Sequence, residues 1–302
     1  MKKNILLIFN PCSGQKRTRK TMQEVVSLLS KDGSDVTVKE TAYAGHATKI
    51  AEEAGNQYDL IACCGGDGTL SEAMNGVVQL EKNIPIAYIP NGTTNDTAKT
   101  LSLPKTLSGL SELIVNEKYN KCDIGCFNGR YFFCAVSFGF GAEASFSTKQ
   151  SLKNRIGHVA YILSNVKSIF DVHPVEMTVE FDNQKITGEF IFGAVINTRS
   201  VGGVFRLDKN IFRINDGKFE LVLVRKLNNA LEIPLTLHKL QKKVYDNREI
   251  ILVQADKVKF SSPKEVSWLI DGENGGSLTE VSVENINQKI EICAPDSIIF
   301  EK

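Results

Sequence analysis

Short apolar runs alternate with amphipathic stretches along the first third of the chain. Ile5-Leu6-Leu7-Ile8-Phe9 is apolar throughout and reads as a strand buried on both faces. Lys16 to Lys31 follows, with Met22, Val25, Val26, Leu28 and Leu29 at roughly helical spacing. Val36 to Glu40 alternates like a strand, and Gly45 to Ala54 reads as a helix. Asp59 to Cys64, Leu70 to Val78 and Pro85 to Ile89 continue as strand, helix and strand. This order predicts a three-layer α/β domain around a parallel sheet. Ligands of such sheets gather at the carboxyl ends of the strands.

Near Lys118 the pattern changes. Tyr131 to Val136, Val175 to Phe181, Glu189 to Ile196 and Phe219 to Val224 are rich in β-branched and aromatic residues. Asn128-Gly129, Asp182-Asn183 and Asp216-Gly217 punctuate them as turns. These features predict an antiparallel β-sandwich. One exception is Gln150 to Phe170, which has helical spacing. Ile290 to Cys293 and Ile298 to Phe300 are strand-like and fit either domain. The expected division is an α/β domain over 1–122, completed by 290–302, and a β-sandwich domain over 123–289.

Composition narrows the function classes. The chain has 302 residues, 42% of them apolar, enough for a sizeable core. Its net charge of +1 gives no global field toward nucleic acid or an anionic surface. The seven cysteines are odd in number and include the adjacent Cys63 and Cys64, which fits reduced thiols in a cytoplasmic protein. Cys122, Cys126 and Cys134 have no clustered histidine and read as small buried hydrophobes rather than a zinc site. The amino-terminal apolar run is too short for a signal peptide, and Asn10-Pro11 breaks it.

Four turn-rich clusters each close an apolar run: Asn10-Pro11-Cys12-Ser13-Gly14, Thr41 to Ala47, Gly65-Gly66-Asp67-Gly68-Thr69, and Pro90 to Asp96. Glycine lets the backbone bend sharply and bring bare N–H groups close to a ligand. The helix that starts after Gly65 to Thr69 adds the partial positive charge of its unpaired N–H groups. Asp67 is out of place beside a phosphate unless a divalent cation lies between them or it positions other groups. Four such clusters at predicted strand ends point to a nucleotide and to phosphoryl transfer. No Gly-Lys-Ser/Thr motif of the P-loop type is present, and the first turn lacks Gly-x-Gly-x-x-Gly.

Asn-Pro-x-Ser-Gly, Gly-Gly-Asp-Gly-Thr and Pro-Asn-Gly-Thr-Thr-Asn-Asp together resemble the diacylglycerol kinase catalytic family. The likeness runs on through Ser137 to Ala142, Gly202 to Arg206, Asp216 to Phe219 and Asp271-Gly272-Glu273, so it covers nearly the whole chain. It implies ATP and magnesium as cofactors, and a cleft between the two domains. It further implies a nucleotide cradle made by Asn10, Pro11, Cys12, Ser13, Gly14, Thr41, Gly65, Gly66, Asp67, Gly68, Thr69, Leu70, Ser71 and Thr93. Glu273 matches the family's general base. Asp67 and Asp123 match acids that form a water-linked network with catalytic magnesium. Asp216 matches the side-chain ligand of a second, structural magnesium, helped by the carbonyls of Arg213 and Lys218. Here the chain departs from the pattern: Asn215 precedes Asp216, and Phe212 and Arg213 replace smaller residues.

The expected activity is transfer of the ATP γ-phosphoryl group to the primary hydroxyl of diacylglycerol, giving phosphatidic acid. The rival readings are a kinase for another lipid alcohol or for NAD, and a non-catalytic nucleotide-binding regulator. A serine hydrolase has little support, since none of the four histidines pairs in sequence with an obvious nucleophile. Retention of both Asp67 and Glu273 argues against a sensor, which needs no base. The expected location is the cytoplasm, with peripheral contact at the inner face of the membrane as an open alternative. Lys149, Lys153, Arg155, Lys167, Lys239, Lys242 and Lys243 suit an anionic surface as well as they suit a solvated helix face. Family members are often dimers, though the chain carries no heptad or other interface pattern.

Overall fold

The computed structural model describes residues 2–14, 18–54, 57–139, 173–201, 205–207, 212–227, 232, 239, 249–297 and 299–300. The helical stretch expected over 150–170 lies outside them, as do Lys149, Lys153, Arg155, Lys167, Lys242 and Lys243. The chain forms two compact units, Met1–Ile124 with Asn287–Lys302, and Gly125–Ile286.

The first unit is built from β1 (Asn4–Phe9), α1 (Thr18–Leu29), β2 (Asp35–Glu40), α2 (His46–Ala54), β3 (Leu60–Gly65), α3 (Asp67–Val78), β4 (Ile86–Pro90), α4 (Asp96–Thr100) and α5 (Leu107–Val115). The strands run parallel in the order β2-β1-β3-β4, with Ile5 opposite Val36 and Leu60, and Ile61 opposite Ile86. Ile292 adds a parallel partner on the far side of β4. Parallel strands need crossovers, and right-handed crossovers place α1 on one face of this sheet and α2 and α3 on the other. In accord with this, α1 packs on α5 and α2 on α3. The central strands are covered on both faces: Ile5 to Phe9 and Leu60 to Cys64 are buried. β2, at the edge, instead carries exposed Asp35, Lys39 and Glu40, which discourage pairing with another chain.

Strand order locates the ligand crevice. From β1 the chain moves outward to β2, then returns past β1 to β3. The winding direction therefore reverses between β1 and β3, and the loops leaving those strands diverge there. These are the loops of Asn10 to Gly14 and Gly66-Asp67.

The second unit is antiparallel. Its described strands are the end of β5 (Tyr119–Phe127), β6 (Arg130–Phe132), β7 (Ala135–Gly139), β8 (Val175–Phe181), β9 (Gln184–Ile196), β10 (Ser200–Val201), β11 (Phe205–Arg206), β12 (Phe219–Arg225), β13 (Ile250–Ala255), β14 (Lys257–Ile270) and most of β15 (Glu273–Cys293). Three hairpins close through two-residue turns whose central residues both have positive φ: Asn128-Gly129, Asp182-Asn183 and Asp271-Gly272. Such turns match the twist of the flanking strands and favour Asn, Asp and Gly. The core gathers around Trp268, whose ring lies 5.5, 5.1 and 5.0 Å from those of Phe127, Phe138 and Phe260.

Several expectations shift. α3 begins at Asp67, not Leu70, so three of the five residues of the glycine cluster lie in the first helical turn. The helices α4 and α5 have no counterpart in the periodicity reading. The chain passes between units inside β5 and β15. Asp123 thus belongs to the first unit, where its Oδ1 accepts a hydrogen bond from the Gln288 N–H at 2.7 Å.

Candidate nucleotide and metal sites

The loops after β1, β3 and β4 are tied to one another. Asn10 Nδ2 donates to Thr69 Oγ1 at 2.8 Å, and Asn10 Oδ1 accepts from the Cys12 N–H at 2.9 Å. Asn91 Nδ2 donates to the Ser13 carbonyl at 3.1 Å, and the Asn91 N–H donates to the Gly65 carbonyl at 2.7 Å. Gly14, at φ +80°, packs its Cα against Asn91. Gly92 lies against Gly66 so closely that a Cβ on Gly92 would stand 2.6 Å from Gly66 Cα. That neighbour is backbone and has no rotamer with which to yield. Gly92→Ala is therefore expected to separate the β3 and β4 loops, weaken ATP binding and cost about 1–3 kcal/mol of stability. Isothermal titration with a non-hydrolysable ATP analogue, beside thermal unfolding, checks this; wild-type values for both would refute the close-packed cradle.

The amino terminus of α3 is the natural anion seat. Its N-cap is Gly66, which has no side chain with which to cap the helix. A Cβ on Gly68 would meet nothing within 4 Å, so space is open beside the first turn. Backbone N–H groups and the helix dipole favour phosphate oxygens there. The structure thus fits a polyphosphate on observations independent of motif matching. Pro11, Ser13 and Gly66 are half-buried, Cys12, Gly14 and Thr93 exposed, and Leu70 is buried in the core. Ser71, half-buried, follows one residue later on α3.

Asp67 positions another group, the start of a helix about 30 residues further on. Its Oδ2 accepts from the Asp96 N–H at 2.9 Å and its Oδ1 from the Thr97 N–H at 3.0 Å, so it caps α4. Burial pushes its carboxyl above the ordinary aspartate range despite these bonds, and the nearby Asp96 charge acts in the same direction. Each carboxylate oxygen has a second lone pair, so capping leaves capacity for a cation or its water. Asp96, almost fully buried and 3.2 Å from Lys99 Nζ, joins Asp67 as a second acid at this rim. Its position at the end of the Pro90 to Asp96 cluster was its one signal in the sequence.

The second cluster also depends on a distant acid. Thr41, half-buried, donates its N–H to the Phe9 carbonyl at 2.9 Å. Glu72 on α3 accepts from the Gly45 and Ala47 N–H groups at 2.7 and 3.1 Å, capping α2. His46 Nδ1 accepts from the Ala42 N–H at 3.0 Å, which leaves the proton of the neutral ring on Nε2.

In the second unit Glu273 is exposed at the first position of β15, with Oε2 3.4 Å from Arg130 Nη2. The turn that presents it is held firmly. Asp271 accepts from the N–H groups of Phe133, Cys134 and Ala135 at 2.9, 2.7 and 3.0 Å, and donates its own N–H to the Ala135 carbonyl. At the other candidate metal turn, the Lys218 N–H donates to Asp216 Oδ1 at 3.0 Å, and Arg213 Nη1 donates to the Phe212 carbonyl. Close by, burial pushes the Glu220 carboxyl up to about 8, with the Asp216 charge adding to it. Among the described residues no three His, Cys, Asp or Glu side chains converge on one point. Cys122 is fully buried and burial raises its thiol, which suits a hydrophobe rather than a metal ligand.

The chain thus combines a parallel α/β unit, with a candidate phosphate seat at its switch point, and an antiparallel β unit. Residues 4–127 match the diacylglycerol kinase catalytic domain, and residues 134–294 match the YegS C-terminal NAD kinase beta sandwich-like domain. The diacylglycerol kinase of Bacillus subtilis (strain 168) is 32% identical over 97% of both chains. That of Staphylococcus haemolyticus is 32% identical over all of this chain and 91% of its own. A solved structure from Bacillus anthracis str. Sterne, provisionally described as a diacylglycerol kinase, superposes with a TM-score of 0.85 at 25% identity, over 99% of this chain and 97% of its own. The chain belongs to the diacylglycerol kinase family.

Proposed function

We propose that this protein is an ATP-dependent lipid kinase that phosphorylates the primary hydroxyl of diacylglycerol to give phosphatidic acid. The observation that carries this is the start of α3 at Gly66, set among interlocked glycine loops at the point where the sheet's winding reverses. In this reading the α3 N–H groups and the Asn10 to Gly14 loop bind the phosphate oxygens of ATP. Asp67 and Asp96 are the acids at the phosphate rim that would hold magnesium, with Asp123 joined to it through water. When bound, magnesium neutralises charge on the phosphates as the γ-phosphoryl group departs. Glu273 accepts the hydroxyl proton as the lipid oxygen bonds to the γ-phosphorus and the bond from that phosphorus to the β–γ bridging oxygen breaks, releasing ADP.

A second reading has one specific observation behind it: the match of residues 134–294 to a NAD kinase-like β domain. One experiment separates the two. Labelled ATP and magnesium are offered with diacylglycerol, sphingoid and prenyl alcohols in vesicles, and with NAD in solution. Labelled phosphatidic acid is expected, formed faster on anionic than on neutral vesicles. Label in NADP alone would replace the lipid reading; label in no acceptor, with ATP still bound, would favour a regulator. Among the described residues no helix is long and apolar enough to cross a membrane. Lys239 pairs with Glu249 at 2.8 Å, so part of its charge is already compensated.

A further inference from the structure

β12 starts where the Asp216-Gly217-Lys218 turn ends. Phe219, Leu221 and Leu223 face the core of the second unit, so alternation places Glu220 on the opposite face. That face is closed as well, since Glu220 is only 1% exposed. Its Oε1 accepts from Gln254 Nε2 at 3.2 Å, across the β12–β13 pair. Its Oε2 is buried and has no hydrogen-bond partner among the described residues.

A buried carboxylate with one oxygen unsatisfied is strongly disfavoured unless it is neutralised or meets a cation. Glu220 stands two residues after Lys218, whose N–H donates to Asp216 Oδ1 at 3.0 Å, so the turn that holds Asp216 leads directly into the strand that holds Glu220. A divalent cation held at that turn would give the orphaned oxygen a partner and its charge a counter-charge. Oxygen donors from two carboxylates and backbone carbonyls suit a hard ion such as magnesium, calcium or manganese.

We propose that Glu220 Oε2 supplies a second carboxylate ligand to a divalent cation held at the Asp216 turn. The family likeness implies a cation there with Asp216 as its side-chain ligand; the orphaned oxygen adds Glu220. With two acid ligands the bound ion is charge-balanced, and it fastens the start of β12 to the turn before it. The proposal concerns metal binding and holds whether or not the protein phosphorylates a lipid.

The test uses the full chain, stripped of metal and free of nucleotide. Mn²⁺ binding is followed by electron paramagnetic resonance, and Mg²⁺ protection by thermal unfolding. The wild type should bind one Mn²⁺ and unfold at higher temperature with Mg²⁺. Glu220→Gln should fold without metal at least as stably as the wild type, yet bind Mn²⁺ about 10–100-fold more weakly and lose most of the Mg²⁺ protection. Glu220→Asp, which keeps the charge on a shorter arm, should bind with intermediate affinity, and it serves if Glu220→Gln fails to fold. Unchanged Mn²⁺ affinity in the folded Glu220 variant would overturn the proposal. So would a bound Mn²⁺ whose stoichiometry and affinity survive Asp216→Asn, because that ion would lie elsewhere.

Discussion

Glu273→Gln should lower the turnover of lipid phosphorylation by about 10²–10⁴-fold, the usual contribution of a positioned general base. ATP affinity should be unchanged. Glutamine keeps the length and shape of the side chain and loses its basicity, so the comparison isolates proton transfer. The fold should tolerate the change, because Glu273 is exposed and its contact with Arg130 is a surface ion pair worth about 0–1 kcal/mol. The effect should fall on kcat, with KM for ATP little altered. Residual activity near the wild-type rate would remove Glu273 from the chemistry. Asp271 supplies an independent check of the turn. Its three N–H bonds position the turn, and Asp271→Ala would leave buried donors unmatched.

The second large effect is at Asp67, and it has two separable parts. Asp67→Ala removes the acceptor for the Asp96 and Thr97 N–H groups, so stability should fall by about 1–3 kcal/mol. It also removes the acid facing the phosphate seat, so magnesium-dependent turnover should be lost. Asp67→Asn keeps one acceptor and no charge; it should recover part of the stability and none of the turnover. Urea unfolding and an ATP-consumption assay read the two parts apart. A rate close to wild type in either variant excludes the metal role. The pH dependence has a definite sign. Burial raises the Asp67 carboxyl in the folded state, so the folded protein holds this proton more tightly than the unfolded chain does. Its contribution to stability is greatest below the ordinary aspartate value and is lost as pH rises through the raised one. Turnover runs the other way, because the charged form is needed, and its acid limb should lie above the ordinary aspartate range.

Much of the scaffold is legible in local pattern. Ile5 to Phe9 and Leu60 to Cys64 are apolar at every position, and both strands are buried on both faces. Asn128-Gly129, Asp182-Asn183 and Asp271-Gly272 name their hairpins, because left-handed φ selects those residue types. The shortest elements escape. α4 has five residues, too few to show a period, and α5 announces itself through little beyond the Thr106 side chain that accepts from the Gly109 N–H. The long pairing of β14 with β15 also hides, since polar residues such as Lys264, Glu280 and Glu284 interrupt its apolar positions.

The sequence by itself determined where strands are buried, where the chain turns and which loops are rich in glycine, because these depend on neighbouring residues. Only the tertiary structure decided what each acid does. Asp67 caps a helix 30 residues away, Asp123 meets a backbone N–H 165 residues along the chain, and Asp271 holds a turn 136–138 residues upstream. Glu220 keeps an oxygen without a partner for the same reason. The state of a carboxylate is set by whatever donors and charges surround it in space, and folding brings those from segments that no local pattern connects.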